Sequence, residues 1–361
     1  MHNISISVIV PFFNAEAYIE KCLNTLTQQN FQKKYEIIMV DDGSNDNGNS
    51  IVKKFIGKKN ILLFSLDKNS GPSVARNYGL KKAKGDFIFF MDVDDEIEKD
   101  TLNLLYNLII KTNCNLVFCD TKWIDNSKNL REKTFFYSNS KILYFNQISN
   151  LMQRRIHDPK YFGGIIGSKG RLIRRVFINK NNILYDERLR YLEDEIFLWD
   201  ILAHLKSAAY LKKQLYCYNV QPGKQTGIIN SLLANFSIKK FEIIKQHIEN
   251  SFRLRGFPEN KSIIFGQQAF IFFIINVLLS ITKSIIQNKI ELNQGLSLRK
   301  KIIKDIFNDS NVENSIKNYK VSRDENFLIP KSILWKISWL LELSCNFRAK
   351  EIIKFRRKKK N

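Results

Sequence analysis

The sequence predicts an α/β fold, a mostly parallel Rossmann-like sheet flanked by helices, followed by an α-helical C-terminal region. Three observations predict it. Apolar runs alternate with segments of helical spacing three times before a fourth run arrives at Phe87, the order that builds a parallel sheet covered on both faces. The runs over 35–40 and 87–90 end in or close to carboxylates, and open α/β sheets bind ligands outside the carboxyl ends of their strands. Beyond about Gly227 helical periodicity continues without intervening strand signals.

Taken in order, residues 5–10 form the first strand, stopped at Pro11. Residues 15–29 form a helix with Ala15, Ile19, Cys22, Leu23 and Leu26 on its apolar face. The second strand, 35–40, runs into Asp41 and Asp42, and Gly43, Ser44, Asn45 and Asp46 turn the chain toward a helix over 47–55. Residues 61–65 are the third strand. Asn69, Ser70, Gly71 and Pro72 then turn into a helix over 73–83, which Gly85 ends. A helix over 99–111 and a strand over 116–119 follow the fourth strand. Residues 125–160 are less periodic, and Gly163, Gly164, Gly167 and Gly170 cluster where backbone must turn tightly or approach a ligand. After LIRRVFI, residues 191–199 place Leu192, Ile196 and Trp199 on one helical face, with Glu193, Asp194 and Glu195 in the first turn.

A boundary over 222–230 separates an α/β domain, 1–226, from a helical region with a basic tail, 227–361. Helices are expected over 232–252, 263–285 and 332–355. The run 263–281 is about long enough to span a bilayer, but Gln267, Gln268 and Asn276 favour a buried helix or an oligomer contact.

The 58 basic and 35 acidic residues give a formal charge of +23, which argues for an anionic partner: nucleic acid, nucleotide sugar or phospholipid surface. Five cysteines, an odd number without metal-type spacing, read as buried thiols in a reducing cytoplasm. The N-terminus reads as a strand rather than a signal peptide, which places the chain in the cytosol. The last fourteen residues hold eight basic side chains and one acid beside a helix bearing Trp335 and Trp339. That pattern fits adsorption to anionic lipid at about 1 kcal/mol per basic residue near the surface.

The acids after the fourth strand, Asp92, Asp94, Asp95 and Glu96, repel one another unless a positive charge sits among them. Asp92 and Asp94 alternate, so both face one side at a strand's carboxyl end, which suits Mg²⁺ or Mn²⁺ with a phosphorylated ligand. Asp95 and Glu96 are expected to serve the N-terminus of the following helix.

Five motifs in order then carry a resemblance: SVIVPFFNAEAYIEKCLNTLTQQ, VDDGSND, NSGPSVARNYGL, FFMDVDD, and LIRRVFI followed by YLEDEIFLW. Together they resemble the inverting family 2 glycosyltransferases, which have the GT-A fold, across residues 4–218. The resemblance implies a nucleotide-sugar half over about 1–121 and an acceptor and base half over about 122–226. It implies that Pro11 and Asp42 contact the uridine of a UDP-sugar, that Arg76 positions the donor or its diphosphate, and that Asp92 meets the ribose or a metal-bound water. Asp94 becomes the ligand of Mn²⁺ or Mg²⁺, and Asp194 the general base that deprotonates the acceptor hydroxyl. Glu193, Lys169 and Arg171 fall on the acceptor side, where Gly167, Ser168 and Gly170 depart from the family's usual aromatic and Asn or Lys. His157 stays outside the catalytic set.

The expected reaction moves a hexose or N-acetylhexosamine onto a cell-surface glycan such as lipooligosaccharide or capsule, free or lipid-linked, at the inner face of the cytoplasmic membrane. The C-terminal helices leave room for a homodimer. Two other readings fare worse. A nucleic-acid-binding protein lacks any RNP-like, zinc or helix-turn-helix signature here, and a nucleotidyltransferase lacks an early Gly-rich phosphate loop between Pro11 and Glu16.

Overall fold

Strands β1 (Ile6–Phe12) and β2 (Tyr35–Asp41) are buried at every position, as strands covered on both faces must be. The computed structural model describes residues 4–57, 60–125, 130–133, 137–157, 169–219, 236–321 and 325–358. Between these strands lies α1 (Glu16–Thr27), which buries Ile19, Cys22, Leu23 and Leu26, the stripe its spacing announces. α2 (Gly48–Lys53), β3 (Ile61–Ser65), α3 (Pro72–Lys82) and β4 (Phe87–Phe90) complete the alternation. The remaining strands are β5 (Glu96–Ile97), β6 (Leu116–Asp125), β7 (Leu130–Lys133), β8 (Lys141–Tyr144), β9 (Arg171–Arg174) and β10 (Ser207–Asn219). Helices α4 (Thr101–Thr112), α5 (Phe145–His157), α6 (Arg175–Lys180) and α7 (Glu193–His204) connect them.

Among the described residues the sheet has ten strands, in the order β3-β2-β1-β4-β9-β6-β10-β5, with β7 on β6 and β8 on β10. The first four are parallel, and β6 and β10 are parallel to each other. β9 runs antiparallel to both β4 and β6, so the sheet is mixed. β1 has β2 on one side and β4 on the other, the strand-order reversal beside which α/β sheets hold ligands. Helix α3 can lie close over this point because Gly79 has no side chain: a Cβ there would come within 2.5 Å of Ile9 Cγ2. Strand β10 shifts register against β6 between Leu211 and Tyr216, an irregularity of the kind that re-aims the end of a strand.

The chain divides into two compact units, residues 1–150 with 162–222, and 151–161 with 223–361, so α5 runs from the first into the second. The second unit contains α8 (Ile238–Leu254), α9 (Glu259–Ile286), α10 (Leu292–Asn308), α11 (Ser310–Ile316), α12 (Leu328–Leu334) and α13 (Ser338–Lys358). α9 is long and apolar enough to cross a membrane, yet most of its apolar window is buried in the protein. Its polar residues have partners there. Gln268 donates to the Lys320 carbonyl at 2.6 Å and accepts from the Lys320 amide at 2.8 Å, and Gln267 accepts from Asn318 at 2.9 Å. All five cysteines are buried free thiols.

Candidate active site

The carboxyl ends of β1, β2 and β4 bring Pro11, Asp42 and the acids after Phe90 to one edge of the sheet. Pro11 is buried and pairs in register with Val40, two residues before Asp42. The buried Asp42 carboxylate accepts from the amides of Ser70 and Gly71, each at 2.8 Å. Gly71 has φ of 99°, a conformation that favours glycine, and Arg190 lies against it while donating to Asn69 at 3.0 Å. Asp42 therefore fixes the turn that starts α3, and with it the direction of Arg76.

Arg76 joins the two acidic segments. Its guanidinium donates to Asp92 at 3.0 Å and to Glu193 at 3.1 Å, and it lies 5.2 Å from the Tyr185 ring centre. Burial alone lowers its pKa, but the surrounding acids, Asp92 foremost, more than offset this and hold it above its ordinary value. Asn77, one residue on, donates to the Tyr185 carbonyl and accepts from the Tyr185 amide, both at 2.9 Å. Tyr185 in turn stacks on Phe197 of α7, with ring centres 3.9 Å apart, and both meet Phe90 edge-on. The end of β4, α3 and the start of α7 are thus one packed assembly.

Asp92, Asp94 and Asp95 each present an oxygen within 4.8 Å of the others, a donor set suited to a hard divalent cation. Lys169 enters the same cluster. Its ammonium lies 3.0 Å from Asp92, 2.8 Å from Asp95 and 3.9 Å from the Tyr218 ring centre. Burial opposes its charge, but Asp92 and then Asp95 raise its pKa well above the ordinary lysine value. The acids therefore fit a cation, and two of them already share one.

Asp95 and Glu96 do not serve the next helix, contrary to the sequence expectation. Helix α4 begins at Thr101, whereas the buried Asp95 carboxylate accepts from the Tyr216 hydroxyl at 2.8 Å and the Asn219 amide at 3.1 Å. Glu96 pairs with Lys21 at 2.7 Å and accepts from Asn219 at 2.8 Å. These acids anchor the end of β10. Tyr216 and Asn219 were missed in the sequence, where only a fold could show that β10 returns to the acid loop.

The segment 192–195 starts abruptly. Leu192 has φ of 62°, rare for a branched residue, and Glu193 is the first residue of α7. Burial, then neighbouring Asp194, raises the Glu193 carboxyl above its ordinary value despite Arg76. Asp194 is half-buried and accepts from the Glu195 amide at 2.8 Å.

The three residues expected on the acceptor side all have partners within the protein. Glu193 has its carboxylate on Arg76, Lys169 lies among the acids that follow β4, and Arg171 is only 4% exposed on β9, donating to the Lys169 carbonyl. Burial pushes the Arg171 guanidinium down to about 10. His157 ends α5 with its ring edge-on to Phe265. Asp158, Gly163, Gly164 and Gly167 lie outside the described residues.

With this geometry in view, residues 7–177 match the family model described as Glycosyl transferase family 2. Over that stretch the chain is similar to family 2 glycosyltransferases. Poly(ribitol-phosphate) beta-N-acetylglucosaminyltransferase TarS of Staphylococcus aureus (strain Mu50) is 30% identical over 214 residues, which cover 59% of this chain and 35% of TarS. An uncharacterized glycosyltransferase of Haemophilus influenzae is 38% identical over 145 residues, covering 37% of this chain and 58% of that protein. The match thus spans about a third of the length of TarS and over half of the Haemophilus protein. The crystal structure of S. aureus TarS 1-349 in complex with UDP-GlcNAc superposes with a TM-score of 0.67 at 21% identity, over 96% of this chain and 92% of that one. The fold is GT-A, and a helical C-terminal region follows it.

Proposed function

We propose that this chain transfers a hexose or N-acetylhexosamine from a UDP-sugar to a hydroxyl of a cell-surface glycan, by one inverting displacement and with Mn²⁺ or Mg²⁺. One observation carries the reading: a single buried guanidinium, Arg76, joins Asp92 of the metal strand to Glu193 of the helix that bears Asp194. Carboxylates 101 positions apart in sequence thereby meet on one side chain. The likeness to TarS, solved with UDP-GlcNAc, supports a UDP-sugar donor.

In this reading Pro11 and Asp42 border the uridine, Arg76 orients the diphosphate side, and Asp92 meets the ribose. Asp94 holds the cation, which when bound neutralises the charge growing on the departing diphosphate. Asp194 takes the acceptor proton on a carboxylate oxygen, while Glu193 remains with Arg76. Residues 1–226 perform this chemistry. The charge of +23 suits an acidic or lipid-linked glycan acceptor, and the basic C-terminal end suits peripheral contact with the inner face of the cytoplasmic membrane.

The test is release of UDP and transfer of labelled sugar to a panel of glycan acceptors by the full chain. Activity is expected to stop with a chelator and return with Mn²⁺ or Mg²⁺, and to be lost in Asp94→Ala and Asp194→Ala with folding intact. Full activity in both variants overturns the assignment.

A further inference from the structure

Helix α13 has two unlike faces. Its inner face buries Leu341, Cys345 and Ala349, and Glu342 pairs at 2.6 Å with Arg299 of α10, whose side chain is itself buried. The opposite face carries Trp339 at 69% exposure, Leu343 at 58% and Phe347 at 59%, spaced four residues apart. Trp335, at the end of α12, is 52% exposed as well. Lys350 and Lys354 continue on that face by helical spacing, and both are exposed. Beyond them the sequence reads Arg356, Arg357, Lys358, Lys359 and Lys360.

Scattered exposed apolar residues are ordinary, but an aligned row of a tryptophan, a leucine and a phenylalanine, with a second exposed tryptophan shortly before it in the chain, is not. We infer that this face docks on the surface of an anionic phospholipid bilayer, with Trp335, Trp339, Leu343 and Phe347 entering the headgroup boundary and Lys350 and Lys354 meeting lipid phosphates. This deepens the peripheral-membrane part of the proposed function and rests on it. Tryptophan prefers the water–bilayer boundary, where its ring is buried and its N–H stays wet. A helix with bulky apolar residues on one side and lysines beside them lies in that plane.

Charge decides between a bilayer and a second copy of the chain. An anionic surface complements the lysines that continue the row and the five basic residues after them. Two copies meeting with these helices parallel bring two such basic ends into one contact, which repels, whereas an anionic bilayer complements the lysines in any such placement. The row also differs from α9, whose apolar length is mostly enclosed by its own unit.

The experiment is flotation of the full chain with vesicles of phosphatidylcholine alone and of phosphatidylcholine with phosphatidylglycerol, at rising salt. The native chain is expected on the anionic vesicles only. Replacing Trp339, Leu343 and Phe347 together by serine should weaken binding by at least about tenfold. Lys350→Gln with Lys354→Gln should weaken it by about thirtyfold at low salt and flatten the salt dependence. Melting by circular dichroism confirms folding of both variants, and UDP release is measured alongside. Vesicle binding without UDP release sinks the transferase reading and leaves this one standing. Failure of the native chain to float overturns the membrane proposal, as does undiminished binding of both variants. A native dimer that ignores vesicles and becomes monomeric in the serine variant also overturns it, in favour of self-association.

Discussion

The acids at 92–96 and those at 193–195 look alike in sequence and are held in opposite ways. The first group is set from outside: Lys169, Tyr216 and Asn219 come from 74 to 124 residues away to pair with Asp92, Asp95 and Glu96. The second group sits at a helix start, behind a left-handed Leu192, with Glu193 on the shared Arg76 and Asp194 on its own helix's backbone. Fixed counter-charges suit a site that must hold cation and diphosphate in one geometry.

The largest expected effect separates these roles. Asp94→Asn and Asp194→Asn should each lower transfer by about 10²–10⁴-fold. Equilibrium dialysis with labelled UDP-sugar should then show cation-dependent donor binding weakened in the Asp94 variant and retained in the Asp194 variant. Equal loss of binding in both would erase the distinction between the two groups.

Next in size is the residue that couples them. Arg76→Met leaves two partly buried carboxylates without their common partner, an arrangement that costs about 3–5 kcal/mol. Urea denaturation should register that loss, and Arg76→Lys should recover only part of it, because one ammonium does not reproduce a two-pronged guanidinium. A cost under about 1 kcal/mol would mean that the groups share a neighbourhood and little energy.

Much of the first half of the sheet was legible because its signals are local. Strand runs end in acids, Ile19, Cys22, Leu23 and Leu26 repeat at helical spacing, and Asn69 to Pro72 starts a helix. The position of Asp95 was not legible, because its partners depend on the shifted register of β10 and on strand order, neither of which leaves a mark near residue 95. The pairing of Lys169 with Asp92 and Asp95 was not legible for the same reason. Antiparallel insertion of β9 between β4 and β6 carries it to the acid cluster, and local spacing does not encode insertion.

Lys169 also offers a sharper test of the first acid group. Its ammonium competes with any cation for Asp92 and Asp95, so Lys169→Met should tighten Mn²⁺ binding by about tenfold, as read by electron paramagnetic resonance titration without nucleotide. Weaker Mn²⁺ binding would show instead that the lysine is needed to hold the carboxylates in place.

The smallest effect concerns the second group and has a defined sign. Glu193 is held above its ordinary value by burial and then by Asp194, so the folded chain binds this proton more tightly than the unfolded chain does. The resulting stabilisation is fully present below the unfolded value and is lost as pH rises through the folded one. At neutral pH the ionised Glu193 is therefore a net cost, only partly offset by Arg76. Glu193→Gln removes that cost while keeping a hydrogen-bond acceptor for the guanidinium. Its melting temperature should match or exceed the native one near neutral pH, with the difference closing as acid lets native Glu193 take its proton. A variant less stable than the native chain at neutral pH would mean that the Arg76 pair outweighs burial. The second group would then be a structural ion pair like the first.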